Sequence, residues 1–385
     1  MSAAQERYHA PPPRESRVKQ FVPLLESIPF PLGPERGTPP EIEIARRNEV
    51  VRQLDPVVHA MLDTDKYILE VDKLWMANEI LPLHDAAHGE ALREEASGLS
   101  PSTLVTLIGN ATTEKGITNY AITINGPPST HDIDGDGKGG HARFAHGWLA
   151  EEKRHDEVNV LYLAHSDAIN QRAVNATSTH LIRNGFNPGT GEDPYKLTIF
   201  GTIQEDVTDV SHTNEADIAA RQGARYLATM SRAEARDERR HRRYYSDLAE
   251  ILSTVDPNGF VHAVKEVLRN NVVLPAALMT SGEDFDPRNR TTELFDKYDI
   301  VSEATGMLTA SDFVASFRRH YDLWNIDGLE LDDYGEEARH KIKKRLSALE
   351  HGAQIKAKKV EAMKESGVVL EFPWLKSRVV DLSTL

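Results

Sequence analysis

Two pentads of nearly the same make-up, EEKRH at 151–155 and DERRH at 237–241, each contain Glu-x-x-His: Glu152 with His155, and Glu238 with His241. In a helix, residues three apart lie about one turn from each other and point the same way, so a carboxylate and an imidazole at that spacing can grip one metal ion. Two such pairs suggest two metals. The motif alone decides little, because a chain rich in Glu and His holds it by chance, and this one holds it four times. Glu6 with His9 falls in a Pro-rich amino-terminal stretch and Glu337 with His340 in a strongly charged carboxy-terminal one, where both read as solvated side chains. The inner pairs differ in that each is preceded, one helix earlier, by a lone carboxylate in a mostly uncharged segment: Glu114 in LIGNATTEKGITNY and Glu205 in LTIFGTIQEDVT.

The order Glu, Glu-x-x-His, Glu, Glu-x-x-His is the ligand set of a carboxylate-bridged di-iron or di-manganese bundle of four helices. Hard carboxylate oxygens bridge and balance two cations, and one neutral imidazole per metal leaves open positions where dioxygen can bind. The competing reading is a bundle whose buried Glu and His pair only with one another, which leaves four carboxylates buried without cations at a cost of several kcal/mol each.

The elements that must carry these residues are punctuated clearly. Ser100-Pro101 offers an N-cap and a Pro at N1, and Asn125-Gly126-Pro127-Pro128 closes that helix, with Glu114 near its centre. A polar loop, THDIDGDGKGG, precedes the helix of Glu152 and His155, and a further helix from about Asp167 to Asn184 has no ligand candidate. Pro194 opens the Glu205 helix, with a break expected near Ser211 to Asn214; the longest helix is expected from about Asp217 to Val255, stopped by Asp256-Pro257-Asn258-Gly259. At about 1.5 Å per residue it would exceed 50 Å. Strand signal is confined to GVVLEFPW and SRVVDL, a small hairpin or extended tail. Asp132, Asp134, Asp136 and Gly137 match the opening of an EF-hand loop, but the twelfth position is Arg143 rather than Glu, so an Asp/Gly turn is the better account.

The fold class expected is therefore all-α: a ferritin-like four-helix core with additional packed helices and a short extended carboxy-terminal tail. No linker divides the 385 residues; residues 1–45 read as an extended Pro-rich arm and 46–385 as a single helical domain. The arm lacks the apolar region of a secretory signal, and no apolar run of about 18 residues could span a bilayer, so a cytoplasmic location without membrane insertion is expected. The absence of Cys excludes disulfides, thiolate iron–sulfur clusters and zinc fingers. A net charge of −15 argues against nucleic-acid binding. Positive charge is local: Arg339, Lys341, Lys343, Lys344 and Arg345, then Lys356, Lys358 and Lys359, and around the second pentad Arg232, Arg236, Arg239, Arg240, Arg242 and Arg243. These are either solvated helix faces or docking surfaces for small acidic proteins.

With the ligand set placed, WLAEEKRHDEVNVLYL, IQEDVTDVSHTN and ARDERRH resemble the ligand segments of the soluble acyl-acyl carrier protein desaturases, the plant stearoyl-type enzymes and their bacterial relatives. The resemblance continues from DKLWMANEILP to FDKYDIVSEATGMLTASDFV and the closing FPWLKSRVVDL. It implies that Glu114, Glu152, His155, Glu205, Glu238 and His241 ligate two iron ions. It further implies that Thr208 lies beside the oxygen-binding position, that Asp237 holds His155 from behind, and that Trp75 ends the same relay. Taken alone, the Thr208 hydroxyl could equally bond back to its own helix, and Trp75 could be a core aromatic. The activity implied is O2-dependent removal of two hydrogens from a carrier-bound acyl chain to leave a cis double bond. Acyl carrier protein, a ferredoxin-type electron donor and a homodimeric state come with it.

Two departures stand out. Where the family continues Glu-Ala-Leu-Pro after its first ligand, this chain has Lys115-Gly116-Ile117-Thr118, and Leu197 occupies a position that is small in the plant enzymes, which implies a shorter or reshaped substrate cavity. The ligand set is also compatible with a hydroxylase on the same scaffold or with a non-catalytic iron- or carrier-binding protein. A tyrosyl-radical role is disfavoured, since the sequence places no tyrosine clearly beside a ligand.

Overall fold

The computed structural model describes residues 16, 18–81, 83–270, 272–282 and 291–385; Glu6 and His9 lie outside them. We number the helices that build and brace the centre α1 (Pro40–Gln53), α2 (Pro101–Lys115), α3 (Ile117–Ile124), α4 (Gly140–Ala164), α5 (Gln171–Asn184), α6 (Pro194–Arg221), α7 (Arg225–Val255), α8 (Pro257–Asn270), α9 (Glu293–Thr305), α10 (Ala310–Leu323) and α11 (Asp333–Glu365). The described residues are all-α apart from β1 (Val369–Leu370), which pairs antiparallel with β2 (Val380–Asp381), and an isolated bridge between Ile169 and Leu375; of the hairpin or extended tail expected, the pairing is the small hairpin.

Helix starts follow the capping chemistry. The Ser100 hydroxyl accepts from the Thr103 amide with Pro101 at N1 of α2, and Asp193 accepts from the Tyr195 and Lys196 amides with Pro194 at N1 of α6. Asp256 ends α7 and starts α8 at once, since its carboxylate accepts the Gly259 amide at 3.1 Å. The EF-hand-like stretch is a turn: Asp132 accepts the Gly137 amide at 3.2 Å and pairs with His146 at 2.7 Å.

Several helix limits differ from those the sequence suggests. The Glu114 helix breaks at Gly116, so Glu114 sits in the last turn of α2 rather than near the middle of one long helix. A Cβ on Gly116 would lie 2.7 Å from the Pro275 ring, and this close approach accounts for the glycine. Helix α5 begins at Gln171, capped by Asn170, not at Asp167. No break interrupts α6 at Ser211 to Asn214, because the polar side chains that would turn the chain bond to neighbouring elements instead: Ser211 to Asn110 at 3.0 Å, and Asn214 to the Met307 carbonyl at 2.9 Å. The break comes at Gly223, whose φ of +76° glycine adopts without strain, and α7 therefore starts at Arg225. Its 31 residues span about 46 Å, and the 33-residue α11 is longer.

Helices α2, α4, α6 and α7 form the central bundle, whose middle is polar and whose two ends are apolar. At one end Phe144, Trp148, Ile199, Ile203 and Leu248 belong to one buried cluster, together with Val18, Phe21 and Leu25 from before α1; at the other, Leu104, Ile108, Val158, Tyr162 and Leu227 belong to a second. Helix α6 is buried on nearly every face. It is braced outward by Asp206, fully buried, which accepts Arg242 of α7 and Arg319 of α10, each at 2.5 Å. Helix α9 packs on α2 at Gly109, where any Cβ would fall 2.0 Å from the Tyr298 ring.

Removing the Asp206 charge while keeping its shape isolates that brace. Asp206→Asn is expected to lower the unfolding free energy by about 2–3 kcal/mol, discounted from a fully buried pair because both guanidinium groups keep some access to water. Chemical denaturation measures it, and a loss under about 0.5 kcal/mol would mean that solvent screens the pair.

Candidate metal centre

The six carboxylate and imidazole side chains singled out in the sequence converge in the polar layer: Glu114 from α2, Glu152 and His155 from α4, Glu205 from α6, and Glu238 and His241 from α7. All are 5 % exposed or less. They divide into two overlapping groups whose ligand atoms lie within 4.8 Å of one another: Glu114, Glu152, His155 and Glu238, and Glu152, Glu205, Glu238 and His241. Glu152 and Glu238 are common to both, as a carboxylate bridging two cations must be.

The atoms that face inward meet mainly one another. Glu152 Oε1, His155 Nδ1, Glu205 Oε2 and His241 Nδ1 are buried without a well-aligned hydrogen bond, and His241 Nδ1 lies 2.8 Å from Glu152 Oε1 and 3.5 Å from Glu205 Oε2. His155 Nδ1 lies 3.5 Å from Glu114, 3.4 Å from Glu152 and 3.4 Å from Glu238. Ligand atoms about 2.0–2.2 Å from one first-row cation sit at about that mutual spacing. Burial raises the Glu205 carboxyl and the Glu238 charge adds to it, placing it well above the usual carboxylate range. Burial opposes charge on His155 and His241, but surrounding carboxylates outweigh it and push both well above the usual histidine range. Without cations the cluster thus takes up protons, and the donor set fits a pair of divalent metals.

The two pentads brace each other crosswise. Asp237, just before Glu238, lies 3.2 Å from Nε2 of His155 on the facing helix; Glu151, just before Glu152, lies 3.1 Å from Nε2 of His241. Each contact assigns the proton to Nε2 and turns Nδ1 toward the centre. Arg240 donates to both acids, at 2.7 Å to Glu151 and 2.5 Å to Asp237, and Arg154 donates to Asp237 at 2.9 Å. Despite burial, His155 and Arg240 hold Asp237 below the usual range, while His241 and Arg240 hold Glu151 at about 2. Glu151 and Arg154 were not singled out in the sequence, and Arg240 only as part of a basic face, although their matching places in EEKRH and DERRH carry the signal.

Trp75 donates its indole N–H to Asp237 at 2.9 Å, stacks parallel to His155 with centroids 6.0 Å apart, and lies under the Arg154 guanidinium. The Thr208 hydroxyl reaches both the Gln204 carbonyl at 3.0 Å and Glu238 at 2.8 Å, and has one proton for the two. The outer oxygens of Glu205 and Glu114 meet Trp148 Nε1 at 3.0 Å and His212 Nε2 at 3.1 Å. Lys115 pairs with Asp156 at 2.9 Å. One expectation is corrected: a tyrosine does lie beside the ligands. Tyr120 lines a small space with Glu114, Glu152 and Glu238, packs edge-on to Trp148, and its buried hydroxyl has no hydrogen-bond partner.

A cavity of about 500 Å³ leads from Glu114 and Thr208 between apolar walls, including Leu274, Phe295 and Phe317, to Arg345 and Lys356 on α11. A separate space of about 10 Å³ is lined by Ile117, Tyr120 and Trp148 together with Glu114, Glu152 and Glu238. Leu197 is buried in the same core cluster as Tyr120 and Phe200. No helix among the described residues is long and apolar enough to cross a membrane.

Residues 46–375 match the family model described as "Fatty acid desaturase". The chain is 31% identical over 363 residues to acyl-[acyl-carrier-protein] desaturase 3 of Oryza sativa subsp. indica, covering 91% of this chain and 88% of the relative. It is 30% identical over 380 residues to the seed-specific stearoyl-[acyl-carrier-protein] 9-desaturase of Brassica napus, covering 96% and 86%. Matched over nearly its whole length, the chain belongs to the fatty acid desaturase family, alongside the acyl-[acyl-carrier-protein] desaturases.

Proposed function

We propose that this chain is an O2-dependent desaturase of a fatty acyl chain carried on acyl carrier protein, acting through two iron ions. The observation that carries the reading is a pair of buried Glu/His groups sharing Glu152 and Glu238 at the inner end of an apolar cavity. Glu114 and His155 would hold one iron, Glu205 and His241 the other, with Glu152 and Glu238 shared. Two irons supply dioxygen reduction and the oxidising power to remove hydrogen from an unactivated methylene. The protein's own part is to fix both imidazoles through Asp237 and Glu151, to keep the Thr208 hydroxyl against Glu238 at the cavity's inner end, and to exclude water from the layer.

The cavity suits an extended apolar chain. Exposed Lys358 and Lys359 near the α11 mouth fit an acidic carrier, and exposed Arg232, Arg236, Arg239 and Arg243 on α7 fit an acidic ferredoxin-type donor. Arg240 and Arg242 turn inward to Asp237 and Asp206 and leave that face. Trp75, half-buried and bonded to Asp237, is the proposed entry point for electrons. A homodimer follows from the family resemblance.

Metal loading is the first test. The full chain is expected to bind iron at the shared cluster and release protons as it does, so apparent affinity should climb with pH through neutrality, because the metal displaces protons from His155, His241 and Glu205. Glu152→Gln should lose at least about tenfold in affinity; unchanged affinity and no proton release would exclude this cluster as the site.

The relay is tested by separating reduction from chemistry. Trp75→Phe should retain its iron and its single turnover after chemical reduction, while steady-state turnover with a protein donor drops by about tenfold or more. An equal loss in both assays would make Trp75 a packing residue.

The reaction itself is read by mass. Pre-reduced, iron-loaded protein exposed to O2 with a series of acyl-acyl carrier proteins should remove two mass units from one narrow range of acyl lengths. Gain of one oxygen would replace the desaturase with a hydroxylase, and no change across the series would refute both.

A further inference from the structure

Two turns beyond Glu205 on α6 and one turn before Glu238 on α7 lies a second buried cluster that the proposed reaction does not use: His212 and Glu215, three apart on α6, face Glu234 on α7. All three are 1 % exposed or less. We propose that His212, Glu215 and Glu234 form a third cation site, for a divalent first-row metal of the Fe2+, Mn2+ or Zn2+ class.

The argument begins with the histidine. Its Nε2 sits 3.1 Å from Glu114 Oε1, a contact that places the proton on Nε2 and leaves the Nδ1 lone pair pointing away from the iron pair. Nδ1 faces Glu234 Oε2 at 3.2 Å and Glu215 Oε2 at 3.9 Å. Neither His212 Nδ1 nor Glu234 Oε2 has a hydrogen-bond partner, and both are shut off from solvent. Two ligand atoms each about 2.1 Å from a cation and 3.2 Å apart subtend about 100°, between the octahedral and tetrahedral angles. Glu215 offers a third ligand atom within 4.8 Å of the other two.

Charge makes the second argument. The other contacts of the two acids are with neutral donors: Asn110 at 3.2 Å on Glu215 Oε1, Ser231 at 3.0 Å on Glu215 Oε2, the oxygen that also faces His212, and Asn159 at 2.6 Å on Glu234 Oε1. Among the described residues no Lys or Arg pairs with either, whereas the equally buried Asp206 and Asp237 each have two arginines. One imidazolium balances one of the two carboxylates; a divalent cation balances both. Oxygen ligands with one imidazole suit that class of metal. His212 and Asn110 also line the 500 Å³ cavity, which gives an ion a way in. A cation at Nδ1 would keep the Nε2 proton directed at Glu114, tying the third site to the first metal of the pair.

The competing structure is a doubly protonated His212 bridging Glu114 and Glu234 with no metal. Crystals of the full chain, reconstituted anaerobically with Fe2+ and then exposed to Zn2+, distinguish the two by anomalous scattering at the iron and zinc edges. The expected result is a peak between His212 Nδ1 and Glu234 Oε2 in addition to the pair, with three metal ions per chain by elemental analysis and two in Glu234→Gln. Saturation at two ions with nothing at His212 overturns the proposal. A peak at His212 with none among Glu152, Glu238 and their neighbours would support it while refuting the di-iron reading. The wild-type peak is decisive even if Glu234→Gln does not fold.

Discussion

Everything in the central bundle depends on one electrostatic constraint: four carboxylates and two imidazoles share a layer from which water is excluded. Negative charge at such density is tolerable only if cations or protons balance it. The apolar clusters at both ends of the bundle keep the layer dry, and dryness makes each interaction inside it strong. Helix α6, buried almost all round, is the structural consequence, since it places Glu205 and Thr208 where a surface helix could not.

The crosswise bracing follows from the same constraint. An imidazole that gives one nitrogen to a metal must have its other nitrogen satisfied, and in a dry layer only protein can do it. Asp237 serves His155 and Glu151 serves His241, so each pentad turns a Glu and a His into the layer and supplies an acceptor to the other pentad's imidazole. Arg240, bonded to both acids, then compensates the charge of the acceptors themselves. A lone Glu-x-x-His has none of this, which is why Glu337 and His340 on the surface of α11 are no rival: Glu337 pairs with Arg36 and Lys341.

Much of this was legible in the sequence, and the gaps have physical causes. Residue types and spacing located the six converging side chains, and capping residues located the starts of α2 and α6. Helix interiors were harder. Ser211 and Asn214 look like breakers until their partners on neighbouring elements are known, and Gly223, which does end α6, looks no different from a tolerated helical glycine. Tyr120 was missed because α2 ends before Gly116 and α3 starts after it, at a glycine whose need shows only in the close approach of Pro275. Glu151 was hidden beside Glu152: adjacent acids in a helix point about 100° apart, so one enters the layer and its neighbour meets the facing helix.

The layer has two approaches, and they differ in chemistry. One is the apolar cavity that ends at Glu114 and Thr208; the other is the hydrogen-bonded path from Trp75 through Asp237 to His155. Trp75, Asp237, Arg154 and Glu151 do not line the cavity. In the proposed reaction this separation matters, because a bound acyl chain must stay dry while charge crosses the protein boundary. A path of aromatic ring, carboxylate and imidazole can pass charge without admitting water, whereas an open polar channel would hydrate the centre and weaken every interaction that holds it. With the two approaches on different elements and the carboxylate–imidazole layer between them, the apolar cavity can be reshaped without disturbing the hydrogen-bonded path through Asp237.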